Sequence, residues 1–215
     1  MNKIVLAVVF SALTIPAYAD TTVNGKLSTL GLGVEAAFPV TPSVDARIGL
    51  NAYKYGFSKA ATSNGLITNY SGDLKLQSLQ AMADWHPWES SFRVSGGLAY
   101  NNNKFAMAGK PVAGNINIGG VTYAVAAGQS VDATVDFNKV APYLGIGWGR
   151  TPKNTGLSVT SDIGIMFQGK PNGSITTNIA GVASADINKA NTDLKDALKS
   201  FNIYPVLSIG IGYTW

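Results

Sequence analysis

The sequence predicts an all-β chain, an eight-stranded antiparallel transmembrane β-barrel with short periplasmic turns, long external loops and one short loop helix. Three observations carry this expectation. The last nine residues, Leu207 to Trp215, alternate apolar with small or polar side chains and end on an aromatic, the pattern of a strand with one face to hydrocarbon and the other to a polar interior. Residues 1–19 hold a single charge at Lys3, an apolar run from Ile4 that reaches Ile15, and the triplet Ala17-Tyr18-Ala19. That arrangement reads as a secretory signal peptide cleaved between Ala19 and Asp20. No later stretch approaches the roughly 18 uncharged apolar residues of a spanning helix. An exported membrane chain without such a helix can satisfy its backbone in lipid only as a closed barrel.

The chain therefore divides into a signal peptide, 1–19, and one outer-membrane β-barrel domain, 20–215. Removing 19 of 215 residues leaves 196, a length that fits one domain. Charged residues make up only 13% of the chain, against about 25% in soluble domains. The 24 glycines and the 46% apolar fraction suit a sheet facing lipid. Cysteine is absent, so no disulfide framework exists and the barrel's own hydrogen bonds must hold the fold. The formal charge of +4 becomes +3 once Lys3 leaves, too small to point to nucleic acid.

The strands follow in order. A short one is expected at about Thr21–Ser28, with a minimal turn near Thr29. Leu30, Leu32, Val34, Ala36 and Phe38 then alternate with Gly31, Gly33, Glu35 and Ala37. After a turn at 39–43, Val44, Ala46, Ile48 and Leu50 alternate with Asp45, Arg47, Gly49 and Asn51, and the strand runs on through Tyr53, Tyr55 and Phe57. A polar connector is expected from Ser58 to Ser71, then strand from Gly72 to Trp85, a tight turn at 86–90, and strand from Phe92 to Asn101. A Gly- and Asn-rich excursion occupies 102–130, with Gly119-Gly120 as a hairpin turn. Strands at 140–149 and 157–168 flank a turn at 150–156, and a second excursion, 169–202, leads to the terminal strand. Short and long connectors alternate, as periplasmic turns and external loops do in such barrels. Within the last loop, Ile187, Ala190, Leu194, Leu198 and Phe201 recur every three or four residues across Ser184–Phe201. That spacing predicts an amphipathic helix, either capping the loop or plugging the barrel mouth.

The runs Asp73-Leu74-Lys75-Leu76-Gln77-Ser78, Ala83-Asp84-Trp85-His86-Pro87, Asp136–Gly149 and Met166–Pro171 resemble small proteobacterial outer-membrane barrel proteins across nearly the whole mature chain. Some such proteins are described as ornithine-uptake porins of the CarO type, and the architecture is also similar to OmpW-like barrels. The resemblance implies a Gram-negative outer-membrane barrel inserted by machinery that reads the C-terminal strand ending in Trp215.

Chemistry is sparse. His86 is the only histidine, which excludes a multi-histidine metal site and leaves any Ser-His-acid triad dependent on it. Gly145, Gly147 and Gly149 recur with period two and precede no helix, so they belong to a strand and not to a nucleotide loop. No catalytic residue, metal or cofactor is expected. The lumen-lining candidates are Glu35, Asp45, Arg47, Asp84, Arg93 and Asp162, which fall on the small-residue faces of their strands. An Arg on the lipid face at mid-depth would cost about 2–4 kcal/mol. Four acids against two arginines lean towards a small cationic solute, and inward Gly and Ala leave some room for one, but an ion-pair network that simply fills an eight-stranded interior is the favoured reading of the same residues. The expected function is a narrow, non-enzymatic channel, in a monomer, for passive uptake of small polar or cationic solutes. The alternatives are a structural or adhesive barrel with a closed lumen and partner-binding external loops and, least favoured, a lipid-modifying enzyme.

Overall fold

A computed structural model describes residues 21–63, 66–152 and 154–215. The expected signal peptide and its cleavage site lie outside the described residues. Eight strands close into a ring: β1 (Thr22–Ser28), β2 (Gly31–Thr41), β3 (Val44–Ser63), β4 (Leu66–Trp85), β5 (Phe92–Asn101), β10 (Val140–Trp148), β11 (Gly156–Met166) and β13 (Tyr204–Thr214). Each neighbouring pair is antiparallel, and β1 closes the ring by pairing with both β2 and β13. Closure leaves the ring no free edge.

Alternation sets the two faces. Leu157, Val159, Ile163 and Ile165 on β11 and Leu207, Ile209, Ile211 and Tyr213 on β13 point outward, Leu157 with 78% of its surface exposed. Thr160, Asp162 and Met166 on β11 and Val206 and Thr214 on β13 are buried within the ring. Near the short-turn end Phe92 packs on Trp148 and Tyr213 stacks on Trp215, with ring centroids 5.5 and 6.3 Å apart. Arg150 ties two of the short turns together there, donating to the carbonyls of Glu89 and Pro42.

Two expectations require correction. The polar connector expected at 58–71 is strand at 58–63 and 66–71, because β3 and β4 stay in register from Val44↔Trp85 up to Ser63↔Leu66. The expected excursions also carry strands, β6 (Lys104–Pro111), β7 (Gly114–Ile118), β8 (Val121–Val125) and β12 (Asn172–Thr177), and β9 (Val131–Asp136) fills the stretch between the first excursion and the next expected strand. The upper half of β4 pairs with β6, which continues through β9 to β12 and builds an external sheet above the ring. Where β4 changes partner from β5 to β6, Gln77 would lose its backbone bonds. Asn103 Oδ1 instead accepts from Gln77 N at 2.9 Å, and Asn102 N donates to Gln77 O at 2.9 Å, so both backbone groups are satisfied.

The hairpin at Gly119-Gly120 is present, with φ of +62° and +95°. The loop helix is present as α1 (Ser184–Leu198). It packs on the external layer and not among the barrel's interior side chains: Leu194 and Leu198 lie against Gly173 of β12, and Ala190 joins Ile118, Val125 and Ile179. Tyr123 holds the helix start by donating to Asp186, and that bond raises the phenol above its ordinary pKa.

The interior is fuller than its composition suggests, because inward glycines form the floor under large neighbours. Met82 lies across Gly97, Tyr143 across Gly145 and Gly164, Arg93 across Gly147, and Glu35 across Gly49. The room expected from small inward residues is thus occupied. Leu30, expected on the outward face, turns into the mouth and is buried with Met82, Tyr143, Met166 and Val206.

Adjacent glycines on β5 provide a direct check. A methyl at Gly97 would stand 2.2 Å from the Ala81 carbonyl oxygen, whereas one at Gly96 meets nothing within 4 Å. Gly97→Ala is expected to lose about 1–3 kcal/mol in urea unfolding from detergent micelles, and Gly96→Ala to stay near wild type. Equal losses would contradict the assignment of faces.

Candidate functional site

The strands bring five of the six lumen-lining candidates into one cluster. Arg47, from β3, sits at its centre: Nη1 reaches Glu35 Oε1 at 3.1 Å, and Nη2 reaches Asp84 Oδ1 at 2.9 Å and Asp162 Oδ1 at 3.3 Å. Arg93, from β5, donates through Nη2 to Asp162 Oδ1 at 2.6 Å and through Nη1 to the Gly149 carbonyl at 2.6 Å. Ser95 donates to Asp84 at 2.6 Å and Ser208 to Asp162 at 2.8 Å. Every charged side chain in the cluster is buried. Acceptors and donors are shared, which is how a buried ionic network avoids leaving a charge unpaired.

Sequence reasoning missed Lys26. Its Nζ bonds Glu35 Oε2 at 2.8 Å and approaches Asp162 Oδ2 at 3.6 Å. With Lys26 the cluster holds three cations, Lys26, Arg47 and Arg93, against three carboxylates, Glu35, Asp84 and Asp162. The expected excess of negative charge is therefore cancelled at the centre. The signal was available: Lys26 alternates with Gly25 and Leu27 and falls on the face of Thr22, Asn24 and Ser28.

Asp45, the sixth candidate, stands directly opposite Asp84 in the β3–β4 register, but among the described residues it makes no ion pair with the cluster's cations. It faces His86 Nε2 at 3.2 Å, while His86 Nδ1 lies 3.0 Å from the Ser90 carbonyl oxygen. Nδ1 is thus taken up inside the turn that precedes β5, while Nε2 lies beside Asp45 of β3 without a hydrogen bond. Trp88 and Glu89 in that turn have φ of 56° and 53°, a conformation held by Ser90, whose N–H and hydroxyl both donate to the Pro87 carbonyl.

Two small cavities flank the cluster, each about 10 Å³, room for about one water. Thr22, Asn24, Asp45, Arg150 and Thr160 border the one towards the short turns. The other lies under Gln80, Met82, Tyr143 and Val206. Beyond it comes the apolar layer of Leu30, Met82, Ala99, Ala141, Tyr143, Met166 and Val206. The interior is thus shut by a charged layer and then by an apolar one.

The crystal structure of Acinetobacter baumannii CarO2 matches this fold with a TM-score of 0.60 at 22% identity, covering 91% of this chain and 98% of that one. The crystal structure of Acinetobacter baumannii CarO matches with a TM-score of 0.58 at 19% identity, covering 92% and 98%. No protein-family model and no curated protein matches the chain.

Arg47 touches all three carboxylates of the cluster. Arg47→Met leaves those acids short of one partner, and removal of one member of a buried ion pair costs about 3–5 kcal/mol. Urea unfolding of the variant should show a loss of that size. A loss below about 1 kcal/mol would mean that the arginine is dispensable to the cluster.

Proposed function

We propose that the chain is an outer-membrane β-barrel that works as a narrow, normally shut passage for small polar solutes. The outward band supports the membrane location. From Leu157 to Phe167, eleven residues at about 3.4 Å each reach roughly 34 Å along the strand, or about 26 Å along the axis at a 40° tilt. That height matches the apolar band of about 25 Å in such barrels. A soluble protein rarely exposes so much contiguous apolar surface. The long connectors and external sheet would then face the medium and the short turns the periplasm, and the shared fold with CarO fits this reading.

The observation that carries a passage is the cluster itself. A barrel that needed only filling would gain as much or more stability from apolar side chains, since buried ion pairs return little after desolvation. Arg47 shared among three acids and Lys26 reaching two can exchange partners as the walls move. Asn24, Ser158 and Thr160 also turn polar oxygens that lack a protein partner towards the short-turn end of the interior. With Lys26 counted, the four inward acids face three cations, so the preference for cationic solutes weakens, and small polar solutes remain. His86, held by Asp45 and the Ser90 carbonyl, has neither ring nitrogen on a hydroxyl nucleophile, which supports a non-enzymatic role.

A second reading, a permanently closed structural or adhesive barrel that binds partners through its external sheet, is favoured by the apolar layer and by the small flanking cavities. Planar-bilayer recording separates the two. The passage reading expects brief, small openings with weak ion selectivity, made more frequent in M82A/Y143A by thinning of the apolar layer. Absence of current in both wild type and this variant would establish the closed barrel instead.

A further inference from the structure

The outward face of β3, β4 and β6 carries a charge arrangement that the barrel does not need. Lys54 stands directly opposite Lys75 in the β3–β4 register, and Lys75 directly opposite Lys104 in the β4–β6 register. Three ammonium groups therefore line one row across adjacent strands, which lie about 4.8 Å apart. Like charges directly opposed on neighbouring strands destabilise the pairing. Lys54 has a distant acid, Asp73, at 4.0 Å, and both side chains are mostly exposed. Asp136 stands opposite Lys104 in the β6–β9 register and ends the row, yet among the described residues neither Lys75 nor Lys104 makes an ion pair.

The position of the row identifies what could offset that repulsion. Lys54 shares its strand face with Ile48 and Leu50, and Lys75 with Leu79 and Trp85, all exposed and outward. The row thus faces away from the barrel interior, four residues above Leu50 and Leu79, roughly 13 Å along the strands. Lys139 stands nearer the apolar band, one residue above the level of Leu79 and Tyr100: its Nζ donates to Asn102 Oδ1 at 2.9 Å, and Asn102 Nδ2 donates to Gln77 Oε1 at 2.9 Å. The next residue, Val140, is already in the apolar band. Lysines placed just beyond the hydrocarbon boundary and turned sideways meet the headgroups of the lipid beside the barrel, where each attracts anionic lipid with an energy that salt weakens.

We infer that Lys54, Lys75 and Lys104, flanked by Lys139, form a binding surface for the phosphate groups of a phosphorylated outer-leaflet glycolipid. The inference rests on the outer-membrane reading above. A soluble partner would approach from the top of the external sheet. The row points along the membrane plane, and its charge complements a lipid phosphate.

The test titrates fluorescent bis-phosphorylated lipid A onto the folded full chain in detergent, beside its dephosphorylated form. Wild type should bind the phosphorylated lipid and lose affinity as salt rises. The triple variant K54Q/K75Q/K104Q should bind it roughly a hundredfold more weakly, and K75Q alone about fivefold more weakly. The variant K189Q/K195Q/K199Q, which removes three lysines from α1, should bind as wild type does. Retained heat-shifted gel mobility shows that each variant is folded. Equal binding of both lipids, no loss in the triple variant, or an equal loss in the α1 variant would overturn the inference. Insertion into phosphatidylcholine vesicles tests the underlying reading separately. A chain that inserts yet shows no phosphate preference loses only the lysine site, whereas one that does not insert loses the membrane location and the site together.

Discussion

Six charges clustered inside a ring of eight strands set the terms for the rest of the structure. They are tolerable only because they balance, three against three, and because Arg47, Asp84 and Asp162 each meet more than one partner. Each charge comes from a different strand, on β1, β2, β3, β4, β5 and β11. The network therefore binds strands that are distant in sequence and reports on the register of all of them. A slip of one residue in any strand would turn its charge outward into the apolar band and leave its partner unpaired.

The same constraint explains the glycines. A guanidinium or a tyrosine ring that crosses the narrow interior must lie over a neighbouring strand, and Gly147 and Gly164 leave the surface bare where Arg93 and Tyr143 cross. Shape and charge are thus solved together: long side chains from one strand, no side chain on the next. Above the ring the demands differ. There the β3–β4 hairpin outruns its neighbours and recruits β6, β9 and β12 into an external sheet, with α1 covering its far strand. Asn102 and Asn103 make the handover by supplying Gln77 with the bonds that β5 no longer gives.

Much of this was legible from the residues alone, for physical reasons that also mark the limits. Alternation identified the ring strands because one face meets an apolar surrounding and the other a packed polar interior, so the period of two is strong at Leu157–Ile165 and Leu207–Tyr213. It failed above the ring. Residues 58–63 and 66–71 and the strands within 102–130 carry Ser, Thr, Ala, Asn and Gly on both faces, since neither face there needs a continuous apolar stripe, and they read as loop. Glu35, Arg47, Asp84, Arg93 and Asp162 were placed inward because their strands were placed correctly. Lys26 escapes the sequence reading because its strand is placed by the need to carry the N-terminus up from the periplasm and not by its own pattern, and that one lysine brings the cluster from an acidic excess to balance. The inward glycines were read as space, because a sequence shows which residue lacks a side chain and not which neighbour lies over it.

The central claim is that the interior is shut between the external mouth and the charged cluster. The chain lacks cysteine, so a single introduced thiol is an unambiguous probe. Ser95, fully buried against Asp84 and Arg47, can be replaced by cysteine with little change in size, and Tyr53, exposed above the ring, provides the reference position. A membrane-impermeant maleimide added to intact cells should label Tyr53→Cys promptly and Ser95→Cys far more slowly. Labelling of both positions at comparable rates would show an open path to the cluster and contradict the account.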